Sequence, residues 1–204
     1  MAIMTCDSIS LQRGSTRVLS DFSLEIEEKA ITAIVGANGC GKSTLISVLA
    51  GDLTPDSGSV KLLDRDLEQF SLSELAAMRS VVLQHQNFWL AYSVQEVIEM
   101  GQDGPSLARV DQVMSELGIA EIAGQSVLTL SGGQGQRVAI ARALVRDTPI
   151  YLFDEPFASQ DRESRKALIE IFRGLREQGK TIVIIAHLAD GDLEWCDHII
   201  EKLS

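Results

Sequence analysis

Residues 36–44 read Gly36-Ala37-Asn38-Gly39-Cys40-Gly41-Lys42-Ser43-Thr44, and apolar runs precede and follow them. A strand, a glycine-rich turn and a helix in this order form a phosphate-binding loop, whose backbone N–H groups point at the phosphates. The glycines keep open the space that a Cβ would fill, and the helix N-terminus adds positive charge. We expect Lys42 to reach the β- and γ-phosphates and the Ser43 hydroxyl to bind Mg²⁺. The alternative is an ordinary glycine-rich turn that carries a lysine by chance.

Apolar segments on both sides of this loop alternate between strand-like and helix-like patterns. Uninterrupted apolar strands are typical of a parallel sheet, so the pattern predicts an α/β fold with a mainly parallel sheet. Strands are predicted at 3–11, 17–26, 30–35, 59–63, 80–83, 149–153, 181–185 and 198–200. Helices are predicted at 42–50, 71–78, 93–100, 106–117, 138–145, 162–176 and 192–196.

The length and charge of the chain limit the class of protein. A chain of 204 residues fits one domain with a full core. The net charge of −11 argues against nucleic acid or an anionic membrane surface as the main partner. Three cysteines are too few for a disulfide scaffold and indicate a reducing compartment. No apolar run approaches 18 residues, and the N-terminus lacks the basic start of a signal peptide.

An acidic pair, Asp154 and Glu155, ends the predicted strand at 149–153 and precedes Pro156. Open α/β sheets bind ligands at the carboxyl ends of their strands. This is the Walker B arrangement, in which Asp154 helps to hold Mg²⁺ through water and Glu155 orients the attacking water. The alternative is that the two carboxylates are simply solvated at a wet strand end.

A second glycine-rich segment, Leu130-Ser131-Gly132-Gly133-Gln134, precedes another predicted helix. Such a turn is a second anion site, which is redundant within a chain whose first loop already encloses a nucleotide. It is explained if it covers the nucleotide of another copy. The alternative is a helix-capping turn, because Ser131 is a favourable N-cap residue.

Taken with Gln84 and His187, these motifs follow a recognisable order, and the chain resembles the nucleotide-binding subunits of ABC transporters from Ile9 to Ile200. The resemblance implies an ABC ATPase fold: a P-loop NTPase core at about 1–86 and 129–204, antiparallel strands at the N-terminus and a helical subdomain at about 87–128. All of it would form one domain, 1–204.

The same resemblance implies ATP and Mg²⁺ as cofactors and assigns roles to individual residues. Two subunits would enclose two ATP molecules head to tail, each molecule held by the P-loop of one subunit and the signature turn (residues 130–134) of the other. The catalytic residues would be Glu155, His187 and Gln84, and the Mg²⁺ site would comprise Ser43, Gln84 and Asp154. The ATP-binding residues would be Arg13, Gly36, Asn38, Gly39, Cys40, Gly41, Lys42, Ser43, Thr44, Ser131, Gly132, Gly133, Gln134 and Asp161.

A finer resemblance, carried by residues 49–58 and 72–85, is to importer ATPases for haem, iron chelates and cobalamin. It implies an ATPase that couples closure of a dimer to transport through permease subunits, with a substrate-binding protein as a further partner and no nucleic acid. The protein would be peripheral on the cytoplasmic face of the cell (inner) membrane. The alternatives are a soluble ABC ATPase, for example in iron–sulfur assembly, and a regulatory module that holds ATP without hydrolysing it.

Two positions depart from the family pattern. Arg13 aligns where the family has an aromatic residue on adenine; a guanidinium plane can stack on a base, or the arginine can simply be solvated. The D-loop (residues 158–161) reads Ala158-Ser159-Gln160-Asp161 in place of Ser-Ala-Leu-Asp, so only its aspartate matches.

The aromatic segment 88–92 is interpreted equally well as a groove for a membrane subunit and as internal packing.

Overall fold

A five-stranded sheet carries the phosphate-binding loop in the computed structural model, which describes residues 1–84, 88–101, 106–186 and 193–201. Its strand order is β6-β7-β8-β3-β9, and every neighbouring pair is parallel. The strands are β3 (Ile31–Val35), β6 (Arg79–Val82), β7 (Ile150–Asp154), β8 (Thr181–Ile185) and β9 (His198–Glu201). Because all five run the same way, the segments that follow β3, β6 and β7 meet at one edge of the sheet.

The three central strands, β7, β8 and β3, are buried along their whole length. Alternate side chains point to opposite faces of the sheet, so each strand contributes to two hydrophobic cores. Tyr151 and Phe153 belong to one core, whereas Ile150 and Leu152 belong to the other. Burial of a side chain of this kind stabilises the fold by roughly 1.5–3 kcal/mol. The continuous apolar runs therefore reflect burial on both faces, as expected from the sequence.

A second sheet of four antiparallel strands contains the N-terminus, in the order β2-β1-β4-β5. It comprises β1 (Ala2–Arg13), β2 (Thr16–Glu27), β4 (Ser57–Leu62) and β5 (Arg65–Asp66). The first three strands correspond to predicted ones, although β1 and β2 are longer than expected. The two-residue strand β5 was not predicted, because it lies in a short segment with no alternation of apolar residues.

Six α-helices surround the sheets in the described part of the chain. They are α1 (Lys42–Leu49), α2 (Leu72–Met78), α3 (Val94–Glu99), α4 (Leu107–Glu116), α5 (Gly132–Leu144) and α6 (Arg162–Glu177), with short 3₁₀ turns at Leu67–Gln69, Ala120–Ile122 and Val127–Thr129. Helix α1 packs in the core with the antiparallel sheet, whereas α3, α4, α5 and α6 pack in the core on the other face of the parallel sheet.

Side chains cap the N-termini of several of these helices. Ser71 and Glu74 form a reciprocal capping box at α2, as the sequence predicted, and Ser93 and Glu96 form another at α3. The backbone amide of Ser71 donates to Glu74 and lowers the pKa of its carboxyl group to about 2. These caps define where both helices begin.

One predicted helix is wrong. The segment 192–196 was expected to be helical, but its described residues, 193–196, form turns and bends before β9. Leu193 and Trp195 pack on the hydrophobic core there, and the backbone amide of Cys196 donates to the carbonyl oxygen of Leu193 at 2.8 Å in a single turn. Among the described residues, no helix is long and apolar enough to cross a membrane.

Candidate nucleotide site

The phosphate-binding loop connects β3 to α1 in the conformation that its glycines allow. Gly39 has φ 78° and Gly41 has φ 93°, values in the left-handed region that favours glycine. Gly41 is the N-cap residue of α1, and the helix has neither a side-chain cap nor an acidic residue in its first turn. Its first N–H groups and the positive end of its dipole are therefore open to an anionic ligand.

Lys42 is folded back over its own loop. Its side chain is only 5% exposed, and Nζ donates to the carbonyl oxygens of Gly36 at 2.8 Å and Ala37 at 2.9 Å. A buried ammonium group needs such partners, because an unpaired charge away from water is costly. The two carbonyl groups hold the lysine beside the turn that would enclose the phosphates.

A cleft of about 480 Å³ joins this loop to residues from three other parts of the chain. Its lining from outside the loop consists of Val18 on β2, Gln84 after β6 and Glu155 after β7. The loop itself contributes Asn38, Gly39, Gly41, Lys42, Ser43 and Thr44. The structure thus brings the predicted P-loop together with two of the three predicted catalytic residues. The third, His187, lies outside the described residues.

Gln84 and Glu155 contact each other directly in this cleft. Nε2 of Gln84 donates to Oε2 of Glu155 at 2.5 Å. Glu155 has φ 51°, a left-handed conformation that is uncommon for a residue with a side chain and that clusters at functional sites. The carboxylate is therefore aimed by backbone geometry and held by an amide donor.

Oxygen ligands suitable for Mg²⁺ come from two elements that end at this edge of the sheet. Asp154 is the last residue of β7 and is 2% exposed, and Ser43 lies in the first turn of α1. Carboxylate and hydroxyl oxygens fit Mg²⁺, which takes few protein ligands and completes its shell with phosphate oxygens and water. No cluster of three or more His, Cys, Asp or Glu is found among the described residues.

The signature turn forms the helix cap that its sequence offered as the alternative, and its role as an anion site stays a prediction. Ser131 caps α5: its hydroxyl accepts from the backbone amide of Gln134 at 3.3 Å, and the Gln134 side chain accepts from the Ser131 amide at 2.9 Å. Ser131 and Gly132 are nevertheless exposed, so the capped helix end still faces solvent. The predicted site residues 131–134 do not line the P-loop cleft of their own chain.

A second cleft, of about 760 Å³, lies beside the signature turn and includes Gln84 in its wall. Ser131 and Gly132 line it together with Phe88 and Trp89 from the aromatic segment. Phe88 is half-buried and packs on the hydrophobic core, whereas Trp89 is 84% exposed. Internal packing therefore accounts for Phe88 but not for Trp89.

The D-loop runs from the end of the Walker B segment to α6. Asp161 is the N-cap of α6 and accepts from the backbone amide of Ser164 at 2.7 Å, which lowers the pKa of its carboxyl group. It lies away from the P-loop cleft. Gln160, which the sequence analysis noted only as part of a departure from the family pattern, donates from Nε2 to the carbonyl oxygen of Gly133 at 3.1 Å.

Two other predicted ATP-binding residues lie at the edges of the site. Arg13 ends β1, opposite Thr16 across the hairpin, and its side chain is exposed and outside the lining of the P-loop cleft. Its stacking on a base stays a prediction. Cys40 is 9% exposed within the loop.

Val18, which lines the P-loop cleft, was missed by the sequence analysis because it reads as an ordinary half-buried strand residue.

The chain is similar in sequence to known import ATP-binding proteins. A family model described as "ABC transporter" matches residues 19–158. The hemin import ATP-binding protein HmuV of Rhodopseudomonas palustris (strain HaA2) is 37% identical over 202 residues, which cover 93% of this chain and 76% of that protein. The cobalamin import ATP-binding protein BtuD of Halobacterium salinarum (strain ATCC 29341 / DSM 671 / R1) is 32% identical over 208 residues. That match covers 97% of this chain but about half, 52%, of the relative.

Solved structures share the fold. A bacterial Atm1-family ABC exporter with ATP bound superimposes with a TM-score of 0.88 at 29% identity, covering 97% of this chain and 36% of that one. A nucleotide-free ATP-binding cassette from an ABC transporter superimposes with a TM-score of 0.85 at 25% identity, covering 98% of this chain and 87% of that one. The two sheets and the helices around them are thus arranged as in known ATP-binding cassettes.

Proposed function

The chain belongs to the ABC transporter family, and on that premise we propose that it is the ATP-hydrolysing subunit that drives a membrane-embedded permease. The observation that carries the proposal is the cleft in which the P-loop, Gln84 and Glu155 meet. A phosphate cradle beside a fixed carboxylate is the arrangement that hydrolysis of a terminal phosphate requires.

Within this cleft each residue has a distinct task. Lys42 exchanges its two loop carbonyl partners for the β- and γ-phosphates of ATP. Glu155 accepts a proton from a water molecule as the water oxygen attacks the γ-phosphorus, and the bond to the β–γ bridging oxygen breaks to release ADP and phosphate. Gln84, which now donates to Glu155, orients that carboxylate and the attacking water. Most of the rate enhancement comes from positioning and electrostatics.

Two further groups complete the proposed site. Ser43 and Asp154, with Gln84, would hold Mg²⁺, which supplies charge neutralisation on the β- and γ-phosphates. His187 is proposed to bind the γ-phosphate as the resemblance implies, and Arg13 to stack on adenine.

The signature turn supports a shared site. It presents an exposed, capped helix end that does not reach the P-loop cleft of its own chain. We therefore place residues 131–134 and Asp161 at the nucleotide of a second subunit, so that two chains enclose two ATP molecules head to tail. Closure of this dimer on ATP and its release after hydrolysis would transmit force to the permease.

Exposed apolar side chains beside the second cleft are the proposed contact with the permease. Trp89 is 84% exposed, Leu90 60% and Leu128 54%, and Gln84 in the same cleft connects this surface to the catalytic carboxylate. Exposed apolar groups that cluster in this way mark interaction sites. We assign them to a helical subdomain at about 87–128 and place the protein on the cytoplasmic face of the membrane.

The relatives suggest the class of cargo. Their names give hemin and cobalamin import, so we propose that the permease served by this chain imports haem, an iron chelate or cobalamin, with a substrate-binding protein as a further partner. Cargo would be recognised by those subunits, and no residue of this chain is assigned to it.

The test combines three variants of the same chain. Glu155→Gln should bind ATP, lose turnover and accumulate as an ATP-dependent dimer in size-exclusion chromatography. Lys42→Ala should lose ATP affinity, and Ser131→Ala should bind ATP but fail to dimerise in the Glu155→Gln background. ATP turnover by Glu155→Gln at the wild-type rate would contradict the assigned chemistry, and dimers that survive Ser131→Ala would contradict the shared site.

Transport is tested separately by co-purification of a tagged chain with its partners. A polytopic membrane protein should be recovered with the wild-type chain and reduced with Trp89→Ala. Recovery of soluble partners alone would favour an ABC ATPase outside transport, and absence of ATPase activity with the partner present would favour a regulatory module.

A further inference from the structure

The D-loop and the signature turn of the same chain are in direct contact. Nε2 of Gln160 donates to the carbonyl oxygen of Gly133 at 3.1 Å, and Ser159 lies against Gly132. A Cβ built on Gly133 would come within 2.6 Å of the backbone oxygen of Ser159, so the two segments approach as closely as backbone allows. Ser159 itself has φ 60°, a left-handed conformation that turns its carbonyl group into this contact.

Gln160 is anchored to the Walker B segment on its N-terminal side. The backbone amide of Ala158 donates to the carbonyl oxygen of Glu155 at 3.1 Å, and that of Gln160 donates to Phe157 at 3.2 Å. The Phe157 side chain is 6% exposed and packs against Phe172 of α6. The D-loop is therefore joined to Glu155 through a compact, hydrogen-bonded turn.

A second link of the same kind lies on the C-terminal side. Nη1 of Arg137, one turn into α5, donates to Oγ of Ser164 at 2.6 Å. The backbone amide of Ser164 also donates to the carboxylate of Asp161, the N-cap residue of α6. Helix α5 is thus joined to the start of α6 by Arg137, and Gln160 adds the contact at the turn itself.

We propose that Gln160 is a positioning residue that fixes the signature turn relative to Glu155 of the same chain. This inference rests on the proposed function, in which that turn closes on the nucleotide of a second copy. The Gln160 amide then sets how well the turn of one chain fits the phosphates held by the other. Leucine, which the family pattern has at this position, has no amide with which to make this contact.

The first experiment measures closure with hydrolysis blocked. Donor- and acceptor-labelled chains carrying Glu155→Gln are titrated with ATP and Mg²⁺, and energy transfer reports the dimer. Gln160→Leu removes the donor and should raise the ATP concentration for half-maximal closure about fivefold per site, the effect of one neutral hydrogen bond. Gln160→Glu has the shape of glutamine but places a carboxylate against the Gly133 carbonyl, so its defect should be larger.

The matched control is Gln69→Leu. Gln69 is an exposed glutamine just after β5 whose amide donates to Asp66 at 3.3 Å, and neither residue lines the two clefts. The ATP concentration for half-maximal closure of this control should stay within twofold of that of the parent Glu155→Gln chain. Binding of a fluorescent ATP analogue to dilute monomer should be the same for all variants, because Gln160 does not contact its own P-loop cleft.

A second experiment uses mixed dimers with one dead P-loop. Lys42→Ala in one chain leaves a single functional site, formed by the P-loop of the other chain and the signature turn of the mutated one. Gln160→Leu should weaken closure about fivefold when it is in the same chain as Lys42→Ala, and should be silent in the opposite chain. If Gln160→Leu acted through a general loss of stability, closure would be weakened equally whichever chain of the mixed dimer carried the substitution.

The outcomes separate this inference from the proposed function. If Gln160→Leu and Gln160→Glu close like the control while Ser131→Ala abolishes closure, the positioning role is refuted and the shared site stands. If Ser131→Ala also closes normally, the shared site is refuted and the positioning role with it. Equal defects in both mixed arrangements would likewise overturn the role assigned to Gln160.

Discussion

Nε2 of Gln84 lies 2.5 Å from Oε2 of Glu155, although the two residues are 71 positions apart in the chain. Gln84 also lines the cleft beside the signature turn, so one side chain borders both clefts. The contact aims a carboxylate whose backbone is already in an unfavourable left-handed conformation. A partner that moves Gln84 in the second cleft would therefore alter its contact with Glu155 in the first.

This contact predicts different kinetic effects for its two members. Glu155→Gln removes the proton acceptor and should lower kcat by roughly 10²–10⁴-fold. Gln84→Leu leaves the carboxylate in place but removes the amide that orients it and a proposed Mg²⁺ ligand, and should lower kcat about tenfold, since part of the alignment is lost. Steady-state ATPase assays at saturating Mg²⁺ give kcat, and equilibrium binding checks that ATP affinity changes by less than threefold. Equal losses for both variants would contradict a supporting role for the glutamine.

Two glycine-to-alanine changes should have opposite effects on stability. In Gly133→Ala the new Cβ would lie 2.6 Å from the Ser159 carbonyl oxygen, so the signature turn must shift, at a cost of roughly 1–3 kcal/mol. Gly174 lies inside α6 with no atom near its Cβ position, so Gly174→Ala should stabilise by about 0.5–1 kcal/mol. Urea unfolding measures both. Gly133→Ala should also lose at least tenfold in ATPase activity, whereas Gly174→Ala should keep its activity. If the two substitutions changed stability in the same direction, the difference in Cβ space between the two positions would not be its cause.

Alkylation should act on Cys40 ahead of the other two cysteines. Burial raises the pKa of the Cys6 thiol to about 12, and burial with the nearby Asp197 charge raises that of Cys196 to about 12. The thiolate is the nucleophile, so both react slowly near pH 7.5. We expect N-ethylmaleimide to modify Cys40, as mapped by mass spectrometry, and to inactivate the ATPase.

ATP should protect Cys40 by covering the loop in which it lies, and Cys40→Ser should keep its own initial activity in the presence of the reagent. If ATP does not slow the inactivation, or if the modification maps to Cys6 or Cys196, then Cys40 has no special reactivity.

Acid should weaken the fold through the capping carboxylates. The Ser71 amide holds the pKa of Glu74 at about 2, below the ordinary value of 4.5 that it has in the unfolded chain. The unfolded state then binds the proton more readily, so the contribution of Glu74 is full above pH 4.5 and is lost as pH falls towards 2. Glu74→Gln keeps a capping amide but has no charge. Its urea midpoint should lie below that of the wild type at pH 7, and the difference should vanish near pH 2; a constant difference would exclude the carboxylate as its cause.

The strand and loop segments were predictable because their signals are local. Five consecutive buried residues in β3 appear as an uninterrupted apolar run, and the glycines at 39 and 41 occupy the positions that need left-handed backbone. The Ser71 capping box was likewise predicted from residues three apart. Each of these signals lies within a few residues, so tertiary packing did not override it.

The resemblance had grouped Gln84 with Glu155, but the specific contacts within the site were not predictable from local signals, because they join distant segments through specific backbone turns. Glu155 and Ser159 both adopt positive φ without being glycine, and their residue types do not indicate this conformation. Those two turns bring Glu155 to Gln84 and the D-loop to Gly133. The helix expected at 192–196 was wrong, and the described part of that segment forms a single hydrogen-bonded turn whose Leu193 and Trp195 pack on the core.

The folded-back ammonium group of Lys42 has a consequence for affinity. This ammonium group has three N–H donors, and two of them already hold the carbonyl oxygens of Gly36 and Ala37, so contacts to two phosphates would replace at least one of these partners rather than simply add to them. The same two contacts join the start of the loop to the first residue of α1, so the lysine braces the turn as well as supplying its charge.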